Sequence, residues 1–142
     1  MATLTTQIYE ILTLDGNDVG SSQIETINGI NYVDNRILSI PSGSLTTIFS
    51  MSDAPGAGTF VTSSIQYVRI SNISTTNTPI QLVISSSTEA MSYLVATGSS
   101  YMLSTSKMTG SIGGLEFDDI QSVKAEPSGS YPATLEYYIA TT

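Results

Sequence analysis

The chain has 142 residues, with four Lys or Arg, twelve Asp or Glu, no His and no Cys, giving a formal charge of −8. That length fits one domain, able to bury roughly two-thirds of the surface its unfolded chain exposes. Without Cys there are no disulfides and no thiolate metal sites, without His there is no Ser-His-Asp or Cys-His nucleophilic system, and an acidic chain with no basic stripe is a poor ligand for phosphate backbones.

The N-terminal Met1-Ala2-Thr3-Leu4-Thr5-Thr6 has neither a basic nor an apolar leader region, so no secretory signal is expected. No apolar run approaches the ~20 residues of a membrane span. Residues 1–6 are expected to form an arm, with Thr3 and Leu4 as candidate contact residues. Residues 7–14 alternate with period two and are apolar on both sides near their middle, which predicts a strand. Asp15-Gly16-Asn17-Asp18 turns the chain. Its oxygens also resemble part of a Ca²⁺ loop, but the further ligands and distal Glu of an EF-hand are missing, and an Asx-type turn is the reading preferred.

Ile24-Glu25-Thr26-Ile27 and Ile30-Asn31-Tyr32-Val33 flank Asn28-Gly29, which predicts a hairpin with a type I′ turn there. Residues 36–40 form a short strand stopped by Pro41-Ser42-Gly43. Residues 45–51 follow, with Leu45, Thr47, Phe49 and Met51 expected on one face. Asp53-Ala54-Pro55-Gly56-Ala57-Gly58 reads as an exposed loop, and Asp53, Pro55 and Gly56 are candidate contact residues.

Residues 65–72 and 79–85 are the most regular strands, with Ile80, Leu82 and Ile84 on one inward face. Residues 90–97 follow, with Met91, Tyr93 and Val95 together, and Gly98 breaks them from the strand begun by Tyr101-Met102-Leu103. After a Gly-containing stretch come residues 120–125, a loop over 127–132, and a last strand with Leu135, Tyr137 and Ile139 on one face. Residues 87–95 are the best candidate helix, but their Ser and Thr content argues against one. The pattern predicts an all-β fold, a single jelly-roll-like β-sandwich over 1–142 with roughly eight to ten short, mostly antiparallel strands.

Catalytic motifs are weak. Ser104-Thr105-Ser106-Lys107 matches S-x-x-K without the accompanying elements of serine acylases. Asp118 and Asp119 are adjacent, so on a strand they would face opposite ways, unlike the cross-cleft carboxylates of glycosidases. Asn72-Ile73-Ser74 is a sequon, read here as a strand-end turn, and Gly56-Ala57-Gly58 lacks the rest of a phosphate loop. No enzyme activity, cofactor or metal is expected. Eight Tyr suit contact surfaces because each buries area while keeping a polar tip. In Tyr137-Tyr138 one ring points out if the other points in, and Tyr138 is the preferred interface anchor, with Tyr137 beside it. Sheet edges are usually guarded by Lys, and this chain has only two. Some edges or faces are therefore expected to be covered by further copies or a partner.

Residues 65–73 and 79–84, the glycine-linked strands over 94–103, and the ending over 120–125 and 135–141 resemble small β-structured virion proteins of tailed bacteriophages. About half of the chain is covered. The resemblance implies a non-enzymatic structural protein: a capsid decoration (cement) protein, a head-fibre base, or a neck or tail component. It further implies a homo-oligomer, by preference a homotrimer, made in a host cytoplasm and docked on the major capsid protein or other virion proteins. A carbohydrate- or surface-binding module is the alternative, with the lack of Trp against it.

Overall fold

Strand formation starts with the hydroxyl-rich composition: Thr and the β-branched apolar residues fit a pleated surface, and small turn residues recur between them. The computed structural model describes residues 2–51, 59–60, 65–104, 111–112, 115–116 and 120–142, and among them there is no helix.

The first thirty residues form strands β1 (Ala2–Tyr9), β2 (Thr13–Leu14), β3 (Asn17–Asp18) and β4 (Ser22–Ile30). β1 pairs antiparallel with β4 and β2 with β3, in one register from Thr3 opposite Asn28 out to Leu14 opposite Asn17. Glu10 N–H donates to Ser21 O and Val19 N–H to Leu12 O, both at 2.8 Å, and these bonds join the two ladders into one long hairpin. Its turn is Asp15-Gly16, with φ of 51° and 81°. Both central residues of a type I′ turn need positive φ, which Asp tolerates and Gly adopts freely.

The hairpin expected at Asn28-Gly29 is therefore not formed. Gly29 does have positive φ, at 81°, but it lies where the β1–β4 register shifts between Ala2 and Thr3. A glycine in this conformation makes a bulge and bends the strand. The chain then enters the body through Asn31, whose N–H donates to Thr141 O at 2.9 Å. The expected six-residue arm is in fact the whole of this ribbon.

The body comprises β5 (Tyr32–Ile40), β6 (Thr46–Met51), β7 (Thr59–Phe60), β8 (Ile65–Asn72), β9 (Ile80–Ser85), β10 (Ala90–Val95), β11 (Ser100–Leu103), β12 (Ser111–Ile112), β13 (Leu115–Glu116), β14 (Ser122–Pro127) and β15 (Ala133–Thr141). Two sheets face each other, one ordered β10-β9-β14-β6-β7 and the other β11-β8-β15-β5. Among the described residues the pairings are antiparallel except for the parallel contact of β6 with β7, and β12 pairs with β13. The fold is an all-β sandwich.

The core is where alternation placed it. Ile80, Leu82 and Ile84 from one sheet meet Val68, Ile70, Leu135, Tyr137 and Ile139 from the other, all buried. Each such side chain removed from water contributes on the order of 1.5–3 kcal/mol. The Phe49 and Tyr137 rings approach across the layer at 6.2 Å. β6 departs from simple alternation: its register with β14 shifts between Val123 and Lys124, so Ile48 and Phe49 are both buried while Leu45 and Thr47 face solvent. The single face expected for Leu45, Thr47, Phe49 and Met51 is broken by that bulge.

Candidate interaction surface

The hairpin formed by β1–β4 is the feature that burial cannot explain. Every residue from 7 to 24 is exposed, yet this stretch holds Ile8, Tyr9, Ile11, Leu12, Leu14, Val19 and Ile24, seven of the large apolar side chains left in solvent. A two-stranded ribbon is at best marginally stable by itself, and scattered apolar residues are normal whereas a contiguous group marks a contact surface. The register defines two faces. Leu4, Ile8, Leu12 and Leu14 share one with Ile27 and Val19, and Tyr9, Ile11 and Ile24 lie on the other. The ribbon also carries Glu10, Asp15, Asp18 and Glu25 and no cation, so it is uniformly acidic.

Its base is fastened to the outer face of the β11-β8-β15-β5 sheet. Leu4, Ile27 and Ile30 pack on Tyr67, Ala140 and Tyr138 in a small second cluster. Tyr67 and Tyr138 meet edge to face at 6.1 Å, a favoured aromatic geometry. Burial pushes the Tyr67 phenol above its ordinary range, opposed by the nearby Arg69 and reinforced by Glu25. Arg69 Nη2 donates to Glu136 Oε2 at 2.8 Å, while its Nε is buried without a partner. Grooves lined by residues of both ribbon and sheet reach from Asn35 and Tyr138 on one flank to Met102 and Ser104 on the other. The base of the ribbon thus lies over β15 and β8, with β5 on one flank and β11 on the other.

The candidate contact residues fare differently. Tyr138 points to the outer face, as alternation requires, but the ring is half-buried beneath the ribbon of its own chain. Tyr137 is 1 % exposed and belongs to the core, so a partner has no access to it. Leu4 is half-buried in the base, and the exposed Thr3 hydroxyl donates to Asn28 Oδ1 at 3.1 Å across the ribbon. Asp53, Pro55 and Gly56 lie outside the described residues, as do Thr105, Ser106, Lys107, Asp118 and Asp119. The seven apolar ribbon residues were the missed contact candidates. Their signal was present: a strand over 7–14 apolar on both sides, beside an Asp-Gly turn.

The edge strand β5 shows a second device. Its Asp34 and Arg36 share the inward face with Tyr137, opposite Ile139 and Tyr137 of β15. Arg36 Nε donates to Asp34 Oδ1 at 3.0 Å, and Tyr137 Oη donates to Asp34 Oδ2 at 2.8 Å. Burial first, and then the hydrogen bond and charge of Asp34, push the Tyr137 phenol well above its ordinary value. Inward charges on an edge strand disfavour pairing with a foreign strand. The outward face of β5 is different: Val33 and Ile37 are exposed there. β10 and β11, the edge strands on the far side, are drawn together by Tyr93 and Tyr101 at 5.1 Å.

Asn72 of the sequon is 1 % exposed. Its Nδ2 donates to Thr78 O at 2.9 Å and Val95 O at 3.1 Å, and its Oδ1 accepts from Ser74 N–H. It is a structural staple of a strand-end turn, closed to glycosylation. At the ribbon tip, Asp18 Oδ1 accepts from Gly20 N–H at 2.9 Å, an Asx-type contact, and among the described residues no three His, Cys, Asp or Glu converge as metal ligands would. No helix among them is long and apolar enough to cross a membrane. Compared with family models, curated proteins and solved structures, the chain matches none.

Proposed function

We propose that this chain is a non-enzymatic virion structural protein, by preference a capsid decoration (cement) protein that acts as a homo-oligomer on the head of a tailed bacteriophage. The observation that carries the assembly part of this reading is the apolar, acidic ribbon, exposed over 7–24, on an otherwise polar sandwich. Such a surface costs solubility unless it is covered, and its coverage would join subunits. The phage setting rests on the sequence resemblance alone. The order of the eight body strands other than β7, β12 and β13 supports reading the sandwich as a jelly roll. Counted along the chain, the two sheets run first-eighth-third-sixth and second-seventh-fourth-fifth, two nested Greek keys.

In this role the protein bridges neighbouring shell subunits and opposes internal pressure through many contacts summed by multivalency. Quantitative mass spectrometry of purified particles, giving copies relative to the major shell protein, tests it. A ratio near one or a few tenths is expected for decoration. A ratio of about a hundredth would move the protein to a neck, tail or fibre position, each unique to a vertex. Absence from particles would overturn the reading and favour a carbohydrate- or surface-binding module, which a glycan array would then show.

A further inference from the structure

We infer that the outer edge of β10 is a pairing site for β10 of a second copy, so that two chains join about a two-fold axis into one continuous antiparallel sheet. This uses neither the ribbon nor the virion setting of the proposed function.

Backbone direction shows what this edge offers. β10 runs antiparallel to β9, with Ala90 opposite Ser85 and Val95 opposite Ile80, in a register without a shift. Ser86 N–H donates to Glu89 O at 2.8 Å, and Gln121 N–H donates to Ser85 O at 2.7 Å. Bonded and non-bonded pairs alternate along an antiparallel ladder. Met91, Tyr93 and Val95 therefore turn their N–H and C=O toward β9, and Ala90, Ser92 and Leu94 turn theirs away from it. β10 ends its sheet, and among the described residues no strand pairs with that outer side. The usual guards are missing as well. β5 has the inward Asp34 and Arg36, and β7 and β11 are short, at two and four residues. β10 runs for six residues with no charge, no Pro and no bulge.

The occupant follows from charge and from register. A chain of formal charge −8 is repelled by its own copies, but the strand Ala90–Val95 is uncharged. Antiparallel pairing centred on Ser92 puts Ser92 beside the partner's Ser92 and Ala90 beside the partner's Leu94, so the outward N–H and C=O groups of each strand satisfy those of the other. Met91 then falls opposite the partner's Tyr93 on the half-buried side, a favourable thioether–aromatic pair. The adjoining acid, Glu89, lies opposite the partner's Val95, about 20 Å from its own counterpart at ~3.4 Å per residue and beyond the screening length. The same patch meets itself, so the contact is isologous and closes at two copies.

The absence of Cys makes the test direct, because any thiol introduced is the sole one. Ser92 is exposed, and in this pairing its Cα lies about 5.5 Å from that of the partner's Ser92, within disulfide range. Full-length Ser92→Cys is expected to form a disulfide-linked dimer on mild oxidation. Ala90→Cys and Leu94→Cys should link to each other when mixed, and each to itself far more slowly. In analytical ultracentrifugation the unaltered chain is expected to sediment as a dimer, and the amides of Ala90, Ser92 and Leu94 should exchange faster on dilution. Ser92→Lys sets two cations directly opposite each other and should weaken association by about fivefold or more, with the melting temperature of the diluted chain unchanged. Four results would each overturn the inference: a monomer at high micromolar concentration, a Ser92→Lys chain that associates as before, Ala90→Cys linking to itself as readily as Ser92→Cys, or amides over 90–94 equally protected at every dilution, which would close the edge within one chain. Particle mass spectrometry reads the other proposal separately. A β10 dimer absent from particles refutes only the virion setting, and a particle protein whose β10 edge stays single refutes only the dimer.

Discussion

Asn72→Ala removes a side chain that is 1 % exposed and makes three hydrogen bonds, to Thr78 O, Val95 O and Ser74 N–H. Those bonds tie the end of β8 to the turn before β9 and to the end of β10, so both sheets lose a fastening. At about 1 kcal/mol for each bond, and more for groups left unsatisfied in the interior, the expected cost is about 3–4 kcal/mol. For a chain of this length that lowers the melting temperature by roughly 10 °C. Asn72→Asp is nearly isosteric and sharpens the test. Its carboxylate would face two carbonyl oxygens and could no longer donate to either. The charged form is disfavoured in the folded state, so the carboxyl titrates above its unfolded value near 4. Relative to the unaltered chain at each pH, the Asp variant should be least affected below about pH 4 and lose stability as pH rises through and beyond it. Urea unfolding at pH 3.5 and pH 7 reads both variants. If Asn72→Ala costs less than about 1 kcal/mol, the three bonds are not a fastening and the reasoning fails.

Three other outcomes are expected. Leu135→Ala empties a fully buried site between the sheets and should cost about 2–5 kcal/mol in the same urea assay, against no measurable change for Leu94→Ala on the exposed face. Tyr137→Phe deletes the bond to Asp34 and should cost about 1.5–3 kcal/mol at pH 7. Because the folded phenol titrates above its unfolded value near 10, that stabilisation is complete below pH 10 and lost above it. The gap between Tyr137→Phe and the unaltered chain should therefore narrow in unfolding experiments above pH 10. Gly16→Val forces a β-branched residue to a φ of 81° at the ribbon turn, a strain of about 1–2 kcal/mol. Amide hydrogen exchange should quicken across 2–30 and stay unchanged in the two body sheets.

The body strands were legible because both their faces obey one rule. Ile80, Leu82 and Ile84 alternate with Gln81 and Val83, and a period of two puts them inside whatever sheet they join. Tyr137 and Tyr138 had to part for the same reason, and Asp15-Gly16 had the chemistry of a turn. Local chemistry stops there. Asn28-Gly29 has an equally good turn pair, and its positive φ is used, but for a bulge: which strand lies alongside decides between the two, and β4 takes β1 while β5 takes β15. The two-sided apolar pattern over 7–14 looks the same in a buried central strand and in a bare ribbon. Only tertiary pairing shows that no second sheet covers it among the described residues, because burial depends on what a strand packs against and alternation records only which side chains travel together.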